Sequence, residues 1–231
     1  MDALSQFGEV AIYDNGSTDD TIDIAGSFPN TTIHKGIFLG FGPTHNKISS
    51  LAKHSWVLSV DSDEIVTPEM LQAINNLDLN EESIYSFPRN NYFNKKWIRH
   101  CGWYPDRVMR LYNRNKTQFS DDQVHESLKK NGMKIVMVDA PLTHYSYSSI
   151  HDFLNKMQSY SDLFAKQNKG KKKATIWTAI FHGVGAFLKS YLFKRGFLDG
   201  KEGFIISAYN GHTAFYKYLK LAEANSSQIR R

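Results

Sequence analysis

The sequence predicts an α/β body followed by a basic, helical C-terminal extension. Two short apolar runs, Glu9-Val10-Ala11-Ile12-Tyr13 and Trp56-Val57-Leu58-Ser59-Val60, end abruptly in acids, as buried strands do when their tips open into a cleft. Ser83-Ile84-Tyr85-Ser86-Phe87 alternates like a third strand. From Ser149 onward the apolar residues recur at three and four instead, which is the spacing of helices with one buried face.

With 231 residues, 41% hydrophobic and 13% aromatic, the chain can bury a full core as one domain plus an appendage. Its single cysteine, Cys101, rules out an internal disulfide and clustered-cysteine zinc sites and points to a reducing, cytoplasmic compartment. The first residues lack the basic and apolar regions of a secretory signal. The net charge of +5 is unevenly spread: Leu163 to Leu198 holds eight basic residues and no acid, and outside it 20 basic residues face 23 acidic ones. A mildly acidic body (residues 1–148) and a basic extension (149–231) are therefore read separately.

In the body, Asp14-Asn15-Gly16-Ser17-Thr18-Asp19-Asp20-Thr21 follows the first strand. Gly16 permits a tight turn, Ser17 or Thr18 can cap the next helix, and Asp19 and Asp20 suit its first turn. The second apolar run leads into Asp61-Ser62-Asp63-Glu64, three carboxylates in four residues. Two acids spaced in this way, where a strand dissolves into a loop, can face one hard divalent ion and a phosphate bound to it. A solvated turn is the other reading of a lone Asp-x-Asp. The pairing with a second acid-bearing strand tip at Asp14 favours the site.

DNGSTDDT followed by VLSVDSDE resembles glycosyltransferase family 2, whose members have the GT-A fold, a Rossmann-like mixed sheet flanked by helices. Phe41 to Lys47, with Leu51-Ala52-Lys53 and Trp56, matches the helix before the metal-binding strand of that family. The likeness runs over roughly residues 9 to 150 and is nearest to the bacterial lipopolysaccharide core glucosyltransferase branch. It implies that Asp14 contacts the nucleotide base, that Asp61 holds ribose, that Asp63 holds a divalent metal (Mg or Mn) on the diphosphate, and that Asn46 lies in the nucleotide-sugar site. Family members open with a further strand bearing a Thr-x-Asn-Glu type stretch. Met1 stands almost at the second strand, so the resemblance implies a body that lacks its first strand.

Thr67-Pro68-Glu69-Met70-Leu71 reads as a capped helix start with proline in the first helical position. Arg89 to Tyr112 is rich in aromatics and arginines. Rings suit sugars and guanidinium forks suit phosphates, so Arg107 and Arg110 are candidate diphosphate ligands, although core packing explains the rings equally well. In Val124-His125-Glu126-Ser127, Glu126 is the candidate catalytic base that takes the acceptor's proton; VHES stands where related enzymes carry an acid in this role. His144 is either a late metal ligand or a structural histidine.

In the extension, Ile150 to Phe164 describes an amphipathic helix. Ala174 to Phe193 is apolar but interrupted by His182, Gly183, Gly185 and Lys189. It suits an interfacial helix, flanked by Lys171 to Lys173 and by Lys194-Arg195, better than a spanning one. A buried helix is the competing reading. A last helix is expected from Phe204 to about Ala224. No nucleic-acid motif accompanies the basic charge.

The expectation is an inverting, metal-dependent glycosyltransferase. It takes a nucleotide-diphosphate sugar, transfers the sugar to a hydroxyl of a lipopolysaccharide core or similar surface glycan, and lies peripherally on the inner face of the cell membrane. The alternative is a truncated, inactive relative that only binds nucleotide or membrane. A nucleotidyltransferase would need a Gly-rich phosphate loop near the N-terminus, and none is present.

Overall fold

The computed structural model describes residues 2–121, 126–147 and 149–226. In chain order the elements are β1 (Val10–Asp14), α1 (Thr21–Gly26), β2 (Thr31–Lys35), α2 (Phe41–Leu51), β3 (Trp56–Leu58), β4 (Glu64–Val66), α3 (Pro68–Asn75), β5 (Ser83–Phe93), β6 (Lys96–Trp97), β7 (Arg107–Asn113), β8 (Lys134–Met137) and β9 (Leu142–Tyr147). The helices α4 (Ile150–Asn168), α5 (Ile176–Leu188) and α6 (Gly200–Ser226) complete the chain. Packing divides it into two units, Met1–Arg89 with Arg107–Thr143, and Asn90–Asp106 with His144–Arg231.

The first unit carries the acid-bearing strand tips. β1 pairs with β2 in a parallel two-stranded sheet, Asp14 opposite Lys35. The second sheet runs β3-β7-β5-β9-β4, with β6 and β8 also pairing with β5. β7 is antiparallel to both β3 and β5, while β8 is parallel to β5, so the sheet is mixed. β5 buries both of its faces. Ile84 packs with Tyr112, Phe119 and Leu128, whereas Tyr85 and Phe87 pack with Met70, Leu71, Leu111 and Leu142, as the two-residue period of a strand requires.

Two expectations change in detail. The apolar run 56–60 forms strand only to Leu58; Ser59 donates once more to the Arg110 carbonyl (2.8 Å), and the chain then turns at Asp61–Glu64 and leaves as β4. The turn after β1 does not cap α1 through Ser17 or Thr18. The N-cap position is Asp20, with no side-chain cap, and Ser17 instead bonds Asp14. The start of α3 is as expected: Thr67 Oγ1 accepts from Met70 N at 3.1 Å, with Pro68 in the first turn.

The second unit is built on Phe93, Ile98, Cys101, Phe153 and Ile206. α4 opens with a reciprocal capping box between Ser149 and Asp152. α6 begins earlier than the sequence suggests because Gly203 permits close packing: a Cβ there would stand 1.8 Å from the Gly196 carbonyl oxygen. Among the described residues, no helix is long and apolar enough to cross a membrane.

Candidate nucleotide-sugar site

The site is built around the turn that follows β3. Asp61 lies at its start and is one-third exposed. Its Oδ2 accepts from Arg110 Nη2, and its Oδ1 faces His45 Nε2 at 3.5 Å. The same Arg110 nitrogen donates to Oε1 of Glu64, which also receives Arg89 Nη1 at 3.2 Å. Glu64 Oε2 in turn accepts from the Asp61 amide at 3.1 Å. The Glu64 carboxylate is wholly buried, so it is a structural counter-charge, and Arg110 joins it to Asp61. Burial alone would lower the pKa of the Arg110 guanidinium, but Glu64 and Asp61 more than offset this and raise it. Its Nε is buried with no hydrogen-bond partner. Asp63 stands in the same turn with an exposed side chain.

α2 supplies the wall behind Asp61. His45 stacks on Phe119, ring centroids 4.6 Å apart, and its Nδ1 lies 3.1 Å from Ser59 Oγ. Burial pushes its imidazole below the ordinary 6.5, against the attraction of Asp61 and with the help of Arg110. The ring is therefore neutral at pH 7. A proton on Nε2 toward Asp61, with the Ser59 hydroxyl donating to Nδ1, satisfies both nitrogens.

Asn46, expected to touch the nucleotide sugar, instead clamps a backbone: its Nδ2 donates to the Phe119 carbonyl (3.0 Å) and its Oδ1 accepts from the Phe119 amide (2.8 Å). That clamp fixes the segment that continues toward Glu126. Phe119 and Leu128 form an isolated antiparallel bridge, and Ser120 N donates to the Ser127 carbonyl at 2.8 Å. Glu126, one residue before Ser127, is half-buried and close enough to act electrostatically on His45. Val124 and His125 of the VHES stretch lie outside the described residues.

Asp14 is held differently. Its Oδ1 accepts from Ser17 N (3.0 Å) and Ser17 Oγ (2.6 Å), and its Oδ2 from Gly16 N (3.3 Å). The Ser17 hydroxyl above all holds its carboxyl below the usual carboxylate range. Asp14 ends β1 and Asp61 lies in the turn after β3, strands of different sheets. Arg107 lies apart from the Asp61 turn: its guanidinium binds Asp139 (3.0 Å) and the carbonyls of Ser86 and Val138 (3.1 and 2.8 Å), where it staples neighbouring segments together. In the second unit, His144 Nδ1 meets Asn91 Oδ1 and Ser146 Oγ, a structural network.

Among the described residues no three His, Cys, Asp or Glu side chains gather as a metal cage. Magnesium-type sites need only one or two protein carboxylates when substrate phosphates complete the shell. The exposed Asp63 carboxylate, with Asp61 two residues before it in the same turn, is of the type such a site uses. His45, Arg89 and Phe119 were given no role by sequence reasoning, and Glu64 was read only as the third acid of its cluster; for His45 the signal was the block Phe41 to Lys47 that contains it.

The glycosyl transferase family 2 model matches residues 3–133, and the chain belongs to that family. It is a glycosyltransferase whose body is an α/β unit with a mixed sheet. A protein of Rickettsia typhi (strain ATCC VR-144 / Wilmington), named an uncharacterized glycosyltransferase, is 30% identical over 238 residues, covering 93% of this chain and 78% of the relative. A protein of the same description from Rickettsia prowazekii (strain Madrid E) is 29% identical, covering 96% and 79%. Among solved structures, S. aureus TarS 1-349 in complex with UDP-GlcNAc matches at a TM-score of 0.45 and 12% identity, covering 99% of this chain and 86% of that one.

Proposed function

We propose that the enzyme transfers a sugar, with inversion, from a nucleotide-diphosphate sugar to a hydroxyl of a lipopolysaccharide core or similar surface glycan presented at a membrane. The observation that carries this reading is the division of labour in one turn: Asp61 is fixed by Arg110 and His45, while the neighbouring Asp63 is exposed. Asp61 orients the ribose and Asp14 the base. Asp63 would chiefly hold a divalent ion, Mg or Mn, which when bound would supply charge neutralisation for the departing nucleoside diphosphate. Glu126 takes the proton of the acceptor hydroxyl as that oxygen attacks the anomeric carbon. The bond from the anomeric carbon to the diphosphate oxygen breaks in the same displacement, which inverts the centre.

The test is release of nucleoside diphosphate in the presence of donor, acceptor and Mg or Mn. Glu126→Ala should lower turnover by roughly a hundredfold to ten-thousandfold and leave nucleotide affinity unchanged. Near-normal turnover would remove Glu126 from the mechanism. A chain that binds nucleotide yet never turns over would favour the alternative of an inactive relative.

A further inference from the structure

The helix α5 is packed inside out. Its buried residues are Ala179 and Gly183, and the latter lies against α6 so closely that a Cβ would stand 3.0 Å from Phe215 Cβ and 3.3 Å from the Gly211 carbonyl oxygen. The bulky apolar side chains point the other way. Trp177 is 75% exposed and Phe181 76%, with Ile180, Val184 and Leu188 beside them. Positions 177, 181, 184 and 188 fall on one helical stripe. Just beyond the helix, Phe193 is 82% exposed. A water-facing helix ordinarily buries such residues and exposes small or charged ones.

The charge around this stripe is of one sign. Lys171, Lys172 and Lys173 precede α5; Lys189, Lys194 and Arg195 follow it, and all six are exposed. No acid interrupts residues 163 to 198. Aromatic rings on the apolar face, with lysine and arginine at both ends, are the chemistry of a helix lying in the headgroup region of an anionic bilayer.

From this placement we infer that the exposed α5 stripe, centred on Trp177 and Phe181, is the face by which the protein docks on an anionic lipid surface, with Phe193 and the flanking cations as its rim. The inference rests on the membrane-presented acceptor proposed above, but not on the transfer chemistry, so it is tested without turnover. The full chain is sedimented with vesicles of phosphatidylcholine alone and with vesicles containing an equal part of phosphatidylglycerol. It should bind the anionic vesicles and lose that binding in high salt. The exposed pair Trp177→Ser and Phe181→Ser should weaken binding by about tenfold or more, with an unchanged circular dichroism melt and unchanged nucleotide affinity.

Equal binding by wild type and double variant would overturn the inference. So would absence of wild-type binding to anionic vesicles, or a lipid-free dimer that the double variant converts to monomer, since the stripe would then serve a second copy. Normal nucleoside diphosphate release in a variant that no longer sediments would leave the catalytic reading standing.

Discussion

The turns after β1 and β3 both follow a strand with a carboxylate, yet they hold it by opposite means. Asp14 is satisfied by residues two and three positions on, Gly16 and Ser17. Asp61 is held by Arg110 of β7, 49 positions away, and faces His45 of α2. The first arrangement is a property of an octapeptide. The second exists only when β3 and β7 have paired in register, which sets Leu58 opposite Leu111 and brings Arg110 beside the turn. The difference teaches that one acid is positioned by local turn chemistry and the other by the sheet itself.

Breaking the distant clamp should therefore cost the fold more than breaking the local one. Arg110→Ala leaves Glu64 buried with Arg89 alone and Asp61 without its cation, and should lower unfolding free energy by about 3 kcal/mol, read as a fall in the urea midpoint. Ser17→Ala should move that midpoint far less, because the two backbone donors to Asp14 remain. Equal shifts would show that the Asp61 cluster is no more structural than the Asp14 turn.

A smaller effect sharpens the same contrast through pH. Burial holds the His45 pKa below 6.5, so as pH falls through that value the unfolded chain takes up a proton that the folded chain resists. The stability His45 contributes is whole above 6.5 and declines as pH falls toward its folded value. His45→Gln should flatten this decline in urea midpoints measured from about pH 5 to 8; an unchanged slope would place the pH dependence elsewhere.

What was legible in the sequence follows the same division. Thr67 and Pro68 announced α3, Ser149 introduced α4, and the acid-tipped runs announced β1 and β3, because caps and strand ends are written within a few residues. The second strand at Glu64–Val66 was hidden inside the acidic cluster. Asn46 was expected at the nucleotide sugar from the family resemblance and Arg107 from its residue type, and in the structure they bond the Phe119 backbone and the Asp139 region; such pairings are set by sheet register and helix placement, which no local window contains. The apolar run in the extension showed its composition, but not that Ala179 and Gly183 would take the inside while Trp177 and Phe181 faced out.

The central claim is that the turn after β3 seats a nucleoside diphosphate through a cation held at Asp63. Titration calorimetry of UDP, and of GDP in parallel, into wild type and Asp63→Ala, with and without Mn, tests it most directly. The account predicts that Mn strengthens binding of one of the two nucleotides to the wild type and that Asp63→Ala abolishes the strengthening while its melt is unchanged. Binding of a nucleotide that is equally tight with and without Mn, or a Mn effect that survives in Asp63→Ala, would contradict it.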